Sequence, residues 1–78
     1  MSVEAYVLIQ TEVGKAALVA TQIRELAGVV SADDVTGPYD VIAQTRADTI
    51  DELGQMVVGR LQMIDGITRT TTCPVVNL

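Results

Sequence analysis

One carboxylate in this sequence stands where a side chain could do chemistry. Asp40 follows Tyr39 at the entry to an apolar run, directly after the turn sequence Gly37-Pro38. Burying a carboxylate in an apolar strand is costly unless it finds a hydrogen-bond donor. That donor could be a backbone N–H of the turn or the ammonium of a bound ligand, and the sequence leaves both open.

A row of hydroxyls is the second candidate. Thr68, Thr70 and Thr72 alternate along a predicted strand, and alternate residues of a strand share one face. Threonine is common in strands for reasons of packing alone. A row of hydroxyls facing a small polar ligand is the more specific interpretation.

The usual catalytic groups are missing or explained by structure. The chain has no His, so no Ser–His or Cys–His pair can form within it. Neighbouring acids on a strand, such as Asp33 and Asp34, point to opposite faces, while Asp51 and Glu52 suit the first turn of a helix. Cys73, the single cysteine, has no basic neighbour in sequence to activate its thiol. We therefore expect a non-enzyme without metal or cofactor.

Four strands and two helices are predicted to position these residues. Short β-branched runs predict strands at about 3–11, 29–35, 39–46 and 67–73. Apolar stripes predict helices at about 15–26 and 50–64. The stripes consist of Ala16, Val19, Ile23 and Leu26 in the first helix and Leu53, Val57, Leu61 and Ile64 in the second.

Helix and strand ends carry their own signals. Thr49 and Glu52 fit a capping box at the start of the second helix. Gly28 and Gly66 follow the helices where a left-handed backbone is wanted. Pro74 cannot donate to a ladder, so we expect it to interrupt the last strand, with 75–78 as a short extra edge strand.

The two halves of the chain resemble each other. Residues 6–11 align with 40–45, and 26–29 align with 64–67. Two β-α-β units of this length predict a single domain over residues 1–78 of the α+β class. Its expected fold is a ferredoxin-like β-α-β-β-α-β sandwich, an antiparallel sheet with two helices on one face.

The uncovered sheet face predicts association. The chain is 49% hydrophobic, which exceeds what the thin core of a 78-residue monomer needs. On the first strand, Tyr6 and Leu8 are apolar although they point away from Val7 and Ile9, and a sheet face open to water is usually polar. We therefore expect a homo-oligomer that forms through the open sheet face.

Charge and composition limit the binding partners and the cellular location that we expect. The net charge is −5 with five scattered basic residues, so direct binding of nucleic acid by this chain is not expected. The first residues carry no basic region, and the apolar run 5–9 is too short for a signal peptide or a membrane span, so we expect neither. A lone thiol suits a reducing compartment. These features predict a cytoplasmic protein without membrane association.

The motifs of this chain resemble those of one known family. They are Leu26-x-Gly28-Val29, Val35-Thr36-Gly37-x-Tyr39-Asp40-Val41, Leu53, Ile64-x-Gly66-Ile67 and Thr70-x-Thr72. Together they resemble the effector domain of Lrp/AsnC transcriptional regulators, also called the RAM domain, over essentially the whole chain. The resemblance implies dimers that assemble into larger rings and bind small effectors, commonly amino acids, between dimers.

The resemblance also implies a site and a role. It places the ligand at Gly37, Tyr39 and Asp40, with Thr70 and Thr72 contributing. In our interpretation, turn N–H groups near Gly37 receive the ligand carboxylate and Asp40 pairs with its ammonium. Full-length members carry a helix-turn-helix domain, whereas the first strand here begins almost at Met1. We therefore expect a stand-alone sensing module without its own DNA-binding domain, with full-length Lrp/AsnC regulators as candidate partners.

Three alternatives remain open at the level of sequence. A small dimeric α+β-barrel enzyme shares this topology, but such sites generally use His, Trp or Asn in a roomy cavity, and this chain offers Asn77 alone. An ACT-type amino-acid-binding module would use a glycine-rich loop before the first helix, where this chain has Val13-Gly14. The domain could also bind no ligand and serve as an assembly unit.

Overall fold

The computed structural model describes residues 2–76, apart from the side chain of residue 58. The strands are β1 (Val3–Thr11), β2 (Val29–Asp34), β3 (Val41–Ala47) and β4 (Ile67–Pro74), and the helices are α1 (Ala16–Arg24) and α2 (Ile50–Gln55). A π-helical turn, Met56–Arg60, and a 3₁₀ turn, Leu61–Met63, extend α2. The element order confirms the predicted β-α-β-β-α-β architecture.

The four strands form one antiparallel sheet in the order β2-β3-β1-β4. The central strand β1 pairs on one side with β3, where Val7 lies opposite Ala43, and on the other with β4, where Val7 lies opposite Thr72. Because opposed residues of antiparallel strands share a face, this register decides which side chains meet the helices.

The core lies between the sheet and the helices. Both helical segments pack on the same face of the sheet, and α1 contributes Val19 and Ile23, which are fully buried. The strands contribute Ala5, Val7, Ile9, Val41 and Ala43, and the second helical segment contributes Leu53, Val57 and Leu61. Most residues of the predicted apolar stripes are therefore buried in the core, and the others, Ala16, Leu26 and Ile64, are partly buried against it.

The other face of the sheet carries no helix within residues 2–76. Leu8 and Ile42 face each other across β1 and β3 there and are half-buried, and Tyr6 is 44% exposed opposite Gln44. This surface, with apolar residues at its centre and Gln44 and Arg46 nearer one end, is called the open face below.

The second helix differs from the prediction of a continuous helix over 50–64. It ends as an α-helix at Gln55 and continues through the π-helical turn. Leu53, Val57 and Leu61 are spaced by four, a spacing that both an α-helical and a π-helical turn keep on one side, and all three are buried in the core. Gly54 and Gly59 weaken the α-helix on either side of this change.

The predicted end of β4 and the predicted start of β3 were wrong. Pro74 continues β4 opposite Ala5, and residues 75–76 form no strand, while Asn77 and Leu78 lie outside the described residues. The N–H of Val75 donates to the carbonyl of Glu4 at 2.8 Å. Hydrogen-bonded and non-hydrogen-bonded pairs alternate along an antiparallel ladder, so the adjacent pair of Ala5 and Pro74 is a non-hydrogen-bonded one, and the missing N–H of proline is not needed there. At the other boundary, Tyr39 and Asp40 precede β3 and belong to the turn.

The predicted helix start and glycine conformations are confirmed. The N–H of Glu52 donates to Thr49 Oγ1 at 3.1 Å, and Glu52 Oε2 accepts from the N–H of Asp48 at 3.3 Å. Gly28 and Gly66 have φ of +91° and +101°, in the region that favours glycine.

Candidate functional site

The turn that joins β2 to β3 is closed by backbone hydrogen bonds. The N–H of Val35 donates to the carbonyl of Asp40 at 2.9 Å, and the N–H of Asp40 donates to the carbonyl of Ile9 at 2.9 Å. Gly37, at the exposed tip, has φ +133°, which a residue with a side chain rarely adopts. The bond between Val35 and Asp40 therefore continues the β2–β3 pairing by one residue pair, and the bond from Asp40 to Ile9 ties the turn to β1.

The carboxylate of Asp40 is held by the main chain. Its Oδ2 accepts a hydrogen bond of 2.8 Å from the N–H of Thr11, at the end of β1. Of the two partners considered from sequence, the structure supplies a backbone N–H, although it comes from the neighbouring strand and not from the turn. Within residues 2–76, Oδ1 makes no side-chain hydrogen bond, so one oxygen of this half-buried carboxylate is available.

Gln10, which the sequence did not single out, braces this turn together with Thr68 from the predicted row of hydroxyls. Gln10 Nε2 donates to the carbonyl of Pro38 at 3.2 Å, and Thr68 Oγ1 donates to the carbonyl of Gln10 at 3.2 Å. With Thr11, they tie the turn to the end of β1 and the start of β4. No spacing in the sequence pairs position 10 or 11 with the turn, because the antiparallel register alone brings them together.

The threonines lie further from the turn. Thr70 is opposite Ile9 and Thr72 opposite Val7, so they share a face, as predicted, and it is the face that carries the helices. Thr68 falls where the β1–β4 register shifts, outside that row. Since β4 lies beyond β1, Thr70 is separated from the line of β3 by two strand spacings, about 10 Å.

Two grooves of the described structure do not include the turn residues. A groove of about 400 Å³ is lined by Gln62, Ile67, Thr68, Arg69 and Thr70, at the same end of the sheet as the turn. A larger groove, of about 780 Å³, lies at the opposite end. Gly37, Tyr39 and Asp40 thus meet in one turn and Thr70 borders a groove nearby, whereas Thr72 joins neither.

The remaining acids and the cysteine have structural surroundings. Asp34 Oδ1 lies 3.7 Å from Arg24 Nη2, and Asp51 and Glu52 occupy the first turn of α2. Cys73 is exposed and free. Across the part of the chain that the structure describes, no three acids, cysteines or histidines are grouped to hold a metal ion. No helix in that same part is long and apolar enough to cross a membrane.

The β-α-β-β-α-β order, with one antiparallel sheet and both helical segments on one face, defines a ferredoxin-like domain. In sequence comparison, residues 4–77 match the family described as Lrp/AsnC ligand binding domain. The chain belongs to this family of regulatory ligand-binding domains, as the resemblance predicted.

Curated relatives are transcriptional regulators. An uncharacterized HTH-type transcriptional regulator of Pyrococcus furiosus is 35% identical over 54 residues, which is 69% of this chain and 36% of the relative. A counterpart from Pyrococcus horikoshii matches at the same identity and coverage. The chain therefore spans little more than a third of the length of the curated relatives it matches.

Solved structures share the whole fold. A protein from Thermus thermophilus is 30% identical with a TM-score of 0.91, covering 97% of this chain and 95% of that one. A hypothetical protein from Pyrococcus horikoshii is 28% identical with a TM-score of 0.89, at 97% and 92% coverage. Escherichia coli AsnC, at 23% identity and a TM-score of 0.89, shows the same fold, and 52% of its chain is covered.

Proposed function

We propose that this domain is a non-catalytic sensing module that binds an amino acid at the Gly37–Asp40 turn and couples binding to assembly. The observation that carries the proposal is the carboxylate of Asp40, which the N–H of Thr11 fixes at 2.8 Å through one oxygen. The other oxygen is left for a cationic group, and a charge-assisted hydrogen bond to an ammonium is stronger than one between neutral groups.

The rest of the turn suits the other end of a zwitterion. Gly37 has no heavy atom within 4 Å of the position a Cβ would occupy, so the backbone at the tip is open to a ligand. Turn N–H groups near Gly37 would receive the ligand carboxylate, and Tyr39, which is half-buried beside them, would supply an aromatic wall.

The hydroxyls are the outer part of the proposed site. Thr70 borders the 400 Å³ groove at the same end of the sheet, and we retain it and Thr72 as contributors. Thr72 is the weaker member of the set, since it lies opposite Val7, two residues further from that end.

Assembly is the second half of the proposal. A single copy leaves Leu8, Ile42 and Tyr6 on the open face, and a second copy that covers this face would remove their apolar surface from water. The turn lies at the end of the same sheet and in neither groove, so neighbouring copies would supply the missing walls of the ligand site. Full-length Lrp/AsnC regulators, which share the domain, are candidate partners, and we propose a cytoplasmic location for both.

Family membership favours this function over the alternatives. The Lrp/AsnC match covers 4–77, and the relatives are named as transcriptional regulators and not as enzymes or ACT-type modules. A transcriptional regulator of Neisseria meningitidis with this fold, 18% identical, was solved as a complex with L-Met, which supports an amino acid as the class of effector.

Thermal unfolding with each amino acid in turn tests the proposal. A ligand at 100 times its dissociation constant stabilises the native state by about 2.7 kcal/mol, and for a domain of this size each kcal/mol raises Tm by roughly 4–8 °C. We expect one amino acid, or a chemically related few, to raise Tm.

Two variants locate the binding. Asp40→Asn keeps an acceptor for the Thr11 N–H but removes the charge, so the ligand-dependent rise in Tm should disappear while the fold persists. Asp65→Asn, an exposed acid outside the turn, should retain it. If the wild-type protein forms oligomers and no amino acid changes its Tm, the proposal is contradicted.

A further inference from the structure

The larger groove, of about 780 Å³, lies at the end of the sheet away from the turn. Its walls include Gly28, just before β2, and Val29 at the start of β2. They also include Ala47 at the end of β3, and Met56 and Gly59 of the second helical segment. Small-molecule sites typically have volumes of roughly 300–1,000 Å³. The seven residues of β3 separate this groove from the turn by about 20 Å, so the two regions are distinct.

The floor of the groove is apolar and fixed without a ligand. Met56 is 5% exposed and packs with Ala5 and Leu53. A Cβ on Gly28 would lie 3.0 Å from Met56 Cε and 3.1 Å from the carbonyl oxygen of Arg46. Any side chain at this position would be strained, because the φ of Gly28 is +91° and its neighbours are close. The close approach of β2 to Met56 shapes the floor.

Two backbone irregularities face each other across this groove. The β2–β3 register shifts between Val29 and Ser31, which leaves Val30 as a bulge. On the other wall, the π-helical turn is closed by the N–H of Leu61 donating to the carbonyl of Met56. Bulges and π-helical turns both recur beside functional sites. Here the packing of Leu53, Val57 and Leu61 in the core explains the π-helical turn, whereas no core residue explains the bulge at Val30.

The rim carries one unpaired cationic group. Arg46 Nη2 lies 2.8 Å from Glu4 Oε1. The carboxylates of Asp48 and Glu52 also border the groove, and Glu52 Oε2 accepts a hydrogen bond from the N–H of Asp48. Arg60 borders the groove and takes part in no ion pair among residues 2–76. A guanidinium presents a planar set of donors that matches a carboxylate.

We propose that this groove binds a small organic carboxylate with an apolar body of several carbons. The carboxylate pairs with Arg60, and the carbon chain lies on Met56 and Val29. The proposal is independent of the amino-acid site, since the two sites share no residue, and either can fail without the other.

Hexanoate is a suitable probe, with hexan-1-ol as the uncharged control and hexylammonium as the control of opposite charge. Titration of the ¹⁵N-labelled protein with hexanoate should shift the amide resonances of Gly28, Gly59 and Arg60 to saturation. The resonances of Gly37 and Asp40 should stay in place. Hexan-1-ol and hexylammonium should bind at least tenfold more weakly.

Glycine variants give a matched pair. A Cβ at Gly59 and a Cβ at Gly54 would both meet open space, but only Gly59 lines the groove. Gly59→Leu should fill it and weaken hexanoate binding at least tenfold, and Gly54→Leu should leave the affinity unchanged. Arg60→Gln should bind hexanoate no better than hexan-1-ol.

Each contrary result overturns a defined part of the proposal. Absence of saturable shifts, or equal affinity in Gly59→Leu and the wild-type protein, shows that the groove is not the site. Equal affinity for hexanoate and hexan-1-ol, or full affinity in Arg60→Gln, removes the carboxylate recognition by Arg60.

Discussion

The carboxylate of Asp40 and the backbone N–H of Thr11 form a 2.8 Å hydrogen bond between positions 29 apart in the chain. This bond closes the β2–β3 turn onto the end of the central strand. The residue proposed to recognise a ligand ammonium therefore also supports the fold. The two roles can be separated, because an amide in place of the carboxylate keeps the acceptor and loses the charge.

The first prediction concerns that bond. Asp40→Ala leaves the part-buried N–H of Thr11 without its acceptor, so the free energy of unfolding should fall by about 1.5–3 kcal/mol, the range for hydrogen bonds to charged groups. The free energy of unfolding should fall less in Asp40→Asn, which keeps an acceptor for this N–H. Urea unfolding at a fixed protomer concentration measures both. The control, Asp65→Ala, should stay within about 0.5 kcal/mol of the wild-type protein, and an equally small loss for Asp40→Ala would refute the structural role.

The second prediction concerns Gly28. Gly28→Ala forces a Cβ against Met56 and the Arg46 carbonyl at a φ of +91°, so stability should fall by about 1–3 kcal/mol. Gly54→Ala, in the exposed helix with open space around its Cβ, should gain about 0.5–1 kcal/mol from helix propensity. Thermal unfolding of the two variants side by side measures the contrast, and effects of the same sign would contradict it.

The third prediction concerns the start of α2. Thr49→Ala removes the acceptor for the N–H of Glu52, and the loss of an N-cap costs about 1 kcal/mol. Thr21→Ala is the matched control, since Thr21 Oγ1 bonds only to the carbonyl of Ala17 within the exposed part of α1, and its effect should be within about 0.5 kcal/mol. Circular dichroism during urea unfolding measures both. A cost for Thr21→Ala as large as that for Thr49→Ala would show that the cap is not special.

The fourth prediction concerns the open face. Leu8→Asp places a charge at the centre of the apolar surface shared with Ile42, and desolvating that charge on association is unfavourable. The oligomer that we propose should therefore dissociate to smaller species in analytical ultracentrifugation. Val13→Asp, at a fully exposed loop position, should keep the wild-type mass. An intact Leu8→Asp oligomer would place the interface on another surface.

The core and the fold class were predictable from residue periodicity. Val19 and Ile23 recur at helical spacing, and Val7 and Ile9 alternate along a strand, so burial of these side chains follows from local geometry. The same periodicity missed the π-helical turn after Gln55. Its spacing of four residues between Leu53, Val57 and Leu61 is compatible with either turn, and only packing against the sheet selects the wider one.

The candidate site was predictable from the sequence only in part. The sequence by itself determined that Gly37, Tyr39 and Asp40 lie together, because adjacent residues of a short turn cannot separate, and its turn residues marked where the chain reverses. Which group meets the Asp40 carboxylate, how far Thr70 and Thr72 stand from it, and the groove beside Arg60 were decided by tertiary structure alone. Each depends on strand order and register, and pairing across the sheet joins residues whose separation along the chain carries no local signal.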